Sequence, residues 1–219
     1  CIDELEQKRI NVMLTPGAKN TELPDSLEEA TMAMLAAELS SEIETKIFAG
    51  DSSVNPTDFD GAIKVLTDST DAVKVTAEAL TKINILTEIE KVYEAIPQAV
   101  LAKGLENDSM KMYVAYETLQ KVRMALAAVS NQVVAAAFGV KDEEVRYLGV
   151  EIVPVKGLGS KTIIAADMTN FLLATDLLSD TEEIRLGQFP APHDSKVFID
   201  GRLRLGFVIP FEDEVVFYN

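Results

Sequence analysis

The sequence has 219 residues, of which 47% are hydrophobic and 26% are charged. A chain of this size can bury a core without help from disulfides or metals. It carries 20 Lys and Arg against 36 Asp and Glu, a formal net charge of −16, and a negative field argues against sequence-specific DNA binding. No apolar run approaches the roughly 20 residues of a transmembrane helix, and the first residues lack the pattern of a secretory signal. Composition therefore predicts a soluble globular protein with no membrane partner.

The single cysteine, Cys1, is also the first residue of the sequence. Because the sequence does not begin with Met, we expect an excerpt or a processed product of a longer chain. One cysteine cannot close an internal disulfide, and the only histidine, His193, is its sole candidate partner in catalysis. We expect Cys1 to have a structural role rather than a nucleophilic one.

Residues 24–49 have the pattern of the strongest helix in the chain. Pro24 suits a first helical turn, and no other Pro or Gly follows before Gly50. Acidic residues near the start complement the positive end of the helix dipole, and apolar residues recur four positions apart at Leu35, Leu39, Ile43 and Ile47. The pattern predicts one unbroken helix, and we expect its apolar face to pack on a sheet formed by the C-terminal strands.

The middle of the sequence alternates between helical and strand patterns. Strands are indicated where apolar residues alternate with polar ones, and helices where apolar residues recur every three or four positions. Pro97 is expected to end one of these helices. The predicted elements are a short helix over 59–66, a strand at 73–75, a helix over 81–96, a strand over 110–114 and a helix over 116–126.

The last third of the sequence is rich in predicted strands. A glycine-containing loop over 156–160 separates the apolar residues Val150, Ile152 and Val153 from the apolar run Ile163 to Ala166. Farther on, apolar residues or glycine occupy every odd position from Val197 to Ile209. Asp200-Gly201 is a hairpin signal, yet the alternation continues across it, so the pattern predicts one long continuous strand.

The segment from Gly157 to Thr162 superficially resembles a phosphate-binding loop, because a glycine-rich turn ends in Lys-Thr. The full motif requires Gly immediately before the lysine and again five residues earlier. Ser160 and Val155 occupy those two positions. We therefore expect a surface loop and no nucleotide cofactor.

Catalytic and metal-binding patterns are weak throughout. Asp51, Asp58 and Asp60 lack the spacing of an EF-hand loop. A single histidine excludes a two-histidine zinc motif and leaves a serine triad only around His193. A carboxylate pair among the 36 acids stays open, although the sequence has no Trp to stack on a sugar. We predict no catalytic, cofactor-binding or metal-binding residues and no enzymatic activity.

Several segments resemble, in the same order, the major capsid proteins of tailed phages that have the Hong Kong-type fold. Ser26–Phe48 is similar to the long spine helix of that family. Ala49–Pro56 resembles the loop that ends the spine helix, with Ser52 where relatives often have a second glycine. Thr81–Ile96 and Met110–Ala115 resemble a helix of the central domain and the strand before its next helix.

The more specific resemblance lies toward the C-terminus. Tyr147–Pro154 resembles the "Gly-x-Pro-Val-Val" strand of the family, with Glu151 where Pro is frequent. A glycine-rich loop and the strand 162–166 follow, and Phe198–Pro210 is similar to the long terminal strand of the peripheral domain. The resemblance implies an α+β fold with a long spine helix at 24–49, a peripheral β-sheet and an inserted axial α/β domain. Residues 1–58 and 175–219 would form the peripheral domain, and residues 59–174 would form the axial domain.

The same resemblance implies a structural protein of a phage or prophage that self-assembles into pentamers and hexamers of an icosahedral shell. The shell would enclose DNA without sequence-specific binding, with scaffold, portal and cement proteins as further partners. It would be assembled in the bacterial host cytoplasm and become part of the virion. Two alternatives stay open: an encapsulin-type compartment shell, and an acidic hydrolase that uses a carboxylate pair.

The N-terminal arm and the extended loop of the family are expected to be largely missing from this sequence. Those segments lap over neighbouring subunits in relatives and help to close the shell. We therefore expect this chain to be soluble and at most a small oligomer, and the full-length protein to form large closed shells.

Overall fold

The computed structural model describes residues 27–128, 138–141, 144–175, 184–188, 197–201 and 204–219. The chain divides into two compact units. The first comprises residues 1–43 with 175–205, and the second comprises residues 44–174 with 206–219. The peripheral and axial domains expected from the resemblance, at 1–58 with 175–219 and at 59–174, stay a prediction.

Five α-helices are present in the described part of the chain. They are α1 (Leu27–Ala49), α2 (Ala62–Asp68), α3 (Ile85–Glu94), α4 (Gln98–Glu106) and α5 (Tyr116–Ala128). The long predicted helix is confirmed as one unbroken element from Leu27, while its expected first residues, 24–26, lie outside the described residues. Between Ala33 and Ile47 its side chains are exposed or half-buried, so its expected packing on a C-terminal sheet stays a prediction.

The second unit is built around a seven-stranded mixed sheet. Its strands are β1 (Val73–Val75), β2 (Met110–Ala115), β3 (Phe138–Lys141), β4 (Glu144–Tyr147), β5 (Val150–Val155), β6 (Ile163–Asp167) and β11 (Val216–Tyr218). The strand order is β1-β11-β6-β2-β5-β4-β3. The last strand, β11, pairs in parallel with β1 and antiparallel with β6. That pairing is the physical reason why residues 206–219 group with 44–174.

Both faces of this sheet are covered by apolar side chains. On one face, Met112 of β2 and Ile152 of β5 pack with Ile85, Ile89 and other residues of α3 and α5. The opposite face meets the end of α1, helix α2 and the segment 207–209 through Phe48, Ala62, Leu66, Phe207 and Ile209. Strand β6 (Ile-Ile-Ala-Ala-Asp) is buried at all five positions, as expected for a strand covered on both faces.

Pro154 lies inside β5, opposite Val114 of β2. A proline cannot donate to a ladder on its amide side and is normally confined to sheet edges. The pairing of β4 with β5 covers only Val150 to Ile152. Among the described residues, Pro154 therefore has a strand partner on the side of β2 and none on the side of β4.

The long terminal strand expected over 197–209 is divided in the structure. Strand β9 (Val197–Gly201) pairs with β8 (Ile184–Gln188), and β10 (Leu205–Val208) pairs with β7 (Leu172–Thr175) in a separate sheet. The expectation of a single strand is wrong, because an unbroken alternation of apolar residues does not require a single sheet. Asp200 is paired with Arg185 and Gly201 with Ile184, so this dipeptide is part of a ladder, as expected.

The remaining predicted elements of the middle region are confirmed in type and place, with boundaries shifted by a few residues. Helix α4, which begins directly after its N-cap Pro97, was not predicted. The tight turn at Leu148 and Gly149 that joins β4 to β5, both residues with positive φ, was not predicted either.

Candidate functional site

The loop that superficially resembles a phosphate-binding loop is packed against the protein. Gly157 has a φ of +85°, and a Cβ there would lie 2.5 Å from the carbonyl oxygen of Thr45 at the end of α1. On the other side, the hydroxyl of Thr118 donates to the carbonyl of Ser160 at 3.1 Å. The loop therefore joins α1 and α5 to the sheet, and its glycine makes a close approach of two backbones possible.

The three aspartates of the 51–60 loop are used in local contacts. Asp58 pairs with Lys46 of α1. Asp60 accepts from the amide of Ser52 at 2.9 Å, which lowers the pKa of this carboxyl. Among the described residues, no group of three or more His, Cys, Asp or Glu side chains could hold a metal ion. Cys1 and His193 lie outside the described residues.

Glu88 is a buried carboxylate between α3 and β11, with only 2% of its surface exposed. Its Oε2 accepts from the hydroxyl of Tyr218 at 2.7 Å, and its Oε1 accepts from Nζ of Lys91 at 2.7 Å. The Tyr218 oxygen in turn accepts from the amide of Glu78 at 2.9 Å. Burial raises the pKa of Glu88, but the bonds from Lys91 and Tyr218 outweigh it and hold the pKa below the ordinary value. Burial and the bond to Glu88 raise the pKa of Tyr218 to about 12.

Asp167 is the second buried carboxylate, at the end of β6. Its Oδ1 accepts from the amide and the hydroxyl of Thr169, at 2.9 and 2.7 Å, and its Oδ2 accepts from the hydroxyl of Ser109 at 2.8 Å. Burial raises the pKa of Asp167, and these donors lower it to below the ordinary value.

Every described carboxyl group whose pKa departs clearly from its ordinary value departs downward. A general acid requires a carboxyl whose pKa is raised, by burial or by a like-charged neighbour. Each of the two buried carboxylates is instead surrounded by donors that stabilise its charged form. Glu88 and Asp167 are therefore stabilised in their charged form by the groups around them.

A charge ladder crosses three neighbouring strands of the sheet. Lys111 of β2 is opposite Glu151 of β5, and Glu151 is opposite Arg146 of β4. Lys111 forms an ion pair with Glu151, and Arg146 binds Asp108 through both of its terminal nitrogens, at 2.7 and 3.2 Å. The opposite charges alternate across the strands and stabilise this part of the sheet face.

The most distinctive surface feature is a set of large exposed apolar side chains around β7 and β10. We call these side chains the apolar patch: Met168, Leu172, Leu173, Val208 and Phe211, which are 55%, 50%, 44%, 52% and 59% exposed. The side chain of Asn170 donates to the carbonyl of Phe211 at 2.6 Å and accepts from its amide at 3.0 Å. This reciprocal amide pair holds the segments 168–171 and 209–211 side by side.

The sequence predictions did not identify the apolar patch. The available signal was the absence of charge: residues 168–175 (MTNFLLAT) and 205–211 (LGFVIPF) contain no Asp, Glu, Lys or Arg, in a chain that is 26% charged. Such an uncharged segment would normally be interpreted as part of the core, because apolar segments are usually buried. The exposure of the side chains is what distinguishes this surface from a core.

Comparisons with known proteins identify relatives by structure alone. No family model matches the sequence, and no curated protein matches it significantly. Among solved structures, the capsid of a native GTA particle, computed with C5 symmetry, aligns with a TM-score of 0.61 and 14% identity, over 92% of this chain and 69% of that chain. The capsid of cyanophage A-1(L) aligns with a TM-score of 0.56 and 12% identity, over 97% of this chain and 73% of that chain.

The chain therefore has the α+β fold of phage capsid proteins, as the resemblance implied. At identities of 14% and 12%, the likeness is one of fold, since a fold can host several functions. None of the helices in the described ranges is both long and apolar enough to cross a bilayer.

Proposed function

We propose that this protein is a major capsid protein, a shell subunit that works by self-association rather than by catalysis. The observation that carries the proposal is the structural match to the GTA particle capsid over 92% of the chain. A second capsid, that of cyanophage A-1(L), matches over 97% of the chain. Two independent neighbours with the same role make shell formation the function that this fold supports best.

The mechanism of such a subunit is geometric. Heterologous contacts between identical subunits close into rings, and rings of five and six subunits tile an icosahedral shell. The capsid of the native GTA particle, whose structure was computed with C5 symmetry, contains a chain of similar fold. By analogy, we propose that an axial domain lies near the centre of each ring and that a peripheral domain links neighbouring rings.

The charge of the chain fits a container for DNA. A net charge of −16 repels phosphate groups, so packaged DNA would not adhere to the inner wall through a general field. We propose that the shell encloses DNA without sequence-specific binding and is part of a virion assembled in the host cytoplasm. Scaffold, portal and cement proteins are the further partners that this role implies.

Light scattering coupled to gel filtration, followed by negative-stain microscopy, tests the proposal. The expected result for the full-length protein is five- and six-fold rings or closed shells. A protein that stays monomeric at every concentration, ionic strength and crowding condition would overturn the proposal.

The content of shells purified from cells decides between a capsid and the alternative encapsulin-type compartment. Phage DNA inside the shells supports a capsid, whereas a protein cargo without DNA supports a compartment. Hydrolase activity that is lost when a carboxylate is replaced would instead support the enzymatic alternative.

A further inference from the structure

We propose that the apolar patch (Met168, Leu172, Leu173, Val208 and Phe211) is a docking surface for a second copy of this chain. This inference rests on the proposed function and deepens it, because it names the surface through which subunits associate. The patch lies within residues 168–173 and 208–211, which belong to the second unit.

The first argument is the exposure of strand β7. All four residues from Leu172 to Thr175 are exposed. Successive side chains of a strand point to opposite faces, so Leu172 is exposed on one face of this strand and Leu173 on the other. A two-stranded ribbon is marginally stable in water on its own, and exposed leucines on it gain free energy when a partner covers them.

The second argument is that the residues next to the patch are packed into an aromatic cluster. Phe171 and Phe207, which are adjacent in sequence to Leu172 and Val208, point inward, and their ring centroids are 5.6 Å apart. Phe171 also stacks on Tyr113 at 5.2 Å and contacts Phe48 at 6.4 Å. A surface that is ordered before binding loses little conformational entropy when it docks. Three buried rings and the half-buried ring of Phe171 therefore provide a preorganised base for the exposed side chains.

The third argument concerns charge and identifies the occupant. Two copies of a chain with a net charge of −16 repel each other at long range. They can approach most closely where each lacks charge, and the two segments that carry the patch, 168–175 and 205–211, contain no ionisable residue. Depletion of charge at the centre is also the compositional mark of protein interfaces. A second copy of this chain therefore fits the patch.

Area supports the same occupant. The five side chains are between 44% and 59% exposed, which corresponds to a summed apolar surface on the order of 500 Å², divided between the two faces of β7. A specific interface buries about 800 Å² on each partner. The apolar patch is thus large enough to form the centre of such an interface, with a polar rim around it.

The patch is not suited to nucleic acid or to an anionic membrane. Both partners are recognised through clustered Lys and Arg, and the segments that form the patch contain neither. A lipid surface can still be tested directly, because exposed apolar side chains bind lipid as well as protein.

The main test introduces a negative charge at the patch and compares it with the same change elsewhere. In Phe211→Asp the altered side chain is 59% exposed, and in the matched control Ile83→Asp it is 85% exposed. Both variants should therefore keep the wild-type circular dichroism spectrum and melting temperature. By sedimentation velocity of the full-length protein, Phe211→Asp should weaken self-association by about tenfold or more, and Ile83→Asp should match the wild type.

A second measurement does not depend on the stability of the Asp variant. In a Cys1→Ser background, an environment-sensitive dye is attached to cysteine in Leu173→Cys or in the control Ile83→Cys. On assembly, the emission of the dye at position 173 should shift to shorter wavelength and become protected from iodide quenching. The dye at position 83 should stay accessible.

The outcomes separate the two proposals. A wild-type protein that never self-associates overturns the proposed function and this inference together. If the wild type assembles while Phe211→Asp assembles equally well and the dye at 173 stays accessible, the inference fails and the proposed function stands. Equal loss of assembly in Phe211→Asp and Ile83→Asp also contradicts the inference. So does binding to phosphatidylcholine vesicles that Phe211→Asp abolishes while its self-association is unchanged.

Discussion

Replacing Tyr218 by Phe removes one oxygen atom from the buried contact between β11 and α3. Two hydrogen bonds are lost: the donation to Oε2 of Glu88 at 2.7 Å and the acceptance from the amide of Glu78 at 2.9 Å. Glu88 is 2% exposed, so water cannot easily replace the lost donor. A hydrogen bond to a buried charged group contributes about 1.5–3 kcal/mol, and we expect Tyr218→Phe to lower the free energy of unfolding by about 2–3 kcal/mol.

The effect should depend on pH in a defined direction. The pKa of Glu88 is depressed in the folded protein, so its ionisation stabilises the fold above the unfolded pKa, and that contribution is lost as the pH falls through the folded pKa. Without the Tyr218 hydroxyl, the pKa of Glu88 rises toward its ordinary value. The difference between wild type and Tyr218→Phe should therefore be largest near neutral pH and shrink toward about 1 kcal/mol as the pH falls through the depressed pKa of Glu88 and the carboxylate becomes protonated.

Urea denaturation followed by circular dichroism, at pH 7 and at a series of lower pH values, measures both quantities. The matched control is Tyr116→Phe, because Tyr116 is 54% exposed, so we expect a change within about 0.5 kcal/mol in the free energy of unfolding. If Tyr218→Phe lowers the free energy of unfolding at pH 7 no more than Tyr116→Phe does, the hydrogen bond from Tyr218 does not stabilise the Glu88 carboxylate and the reasoning is wrong.

Two further substitutions test the other contacts described above. Gly157→Ala should destabilise the protein by about 2 kcal/mol or more, because it places a Cβ against Thr45 at a positive φ. The control Gly159→Ala meets no atom closer than 3.6 Å and should be nearly neutral in the same thermal melts, so equal effects would contradict the close approach. Asp167→Asn should lower the free energy of unfolding by about 1–2 kcal/mol at pH 7, because an amide nitrogen replaces one acceptor oxygen. Since the pKa of Asp167 is depressed, this difference should decrease as the pH drops through that pKa. A difference that is independent of pH would show that the charge of Asp167 does not contribute to stability.

The parts of the fold that follow from local periodicity could be predicted from the sequence. The alternation from Met110 to Val114 and the helical spacing after Tyr116 predicted the right elements. Apolar residues recur every second position on the buried face of a strand and every three or four positions on the buried face of a helix. Helix α4 was missed for a local reason. Pro97 was interpreted only as a stop, whereas a proline also suits the start of a helix.

Pairings between distant segments could not be predicted in this way. Nothing near Val216 indicates that β11 pairs with β1 and β6, since that choice depends on the whole sheet. The turn at Leu148 and Gly149 was missed because Leu148 has a φ of +45°, a conformation that leucine rarely adopts. The apolar patch was missed because sequence patterns do not separate an exposed apolar segment from a buried one.

The position of β11 also affects how the chain is made. Strand β6 lies between β2 and β11, and 48 residues, from 168 to 215, separate the end of β6 from the start of β11. At translation rates of about 5–20 residues per second, the edge of β6 that pairs with β11 stays unpaired for roughly 2–10 s until β11 has been synthesised. During that interval an apolar strand edge is open to pairing with other nascent chains. A protein made in large numbers, as the proposed shell subunit would be, would then depend on β11 to remove a site of aggregation.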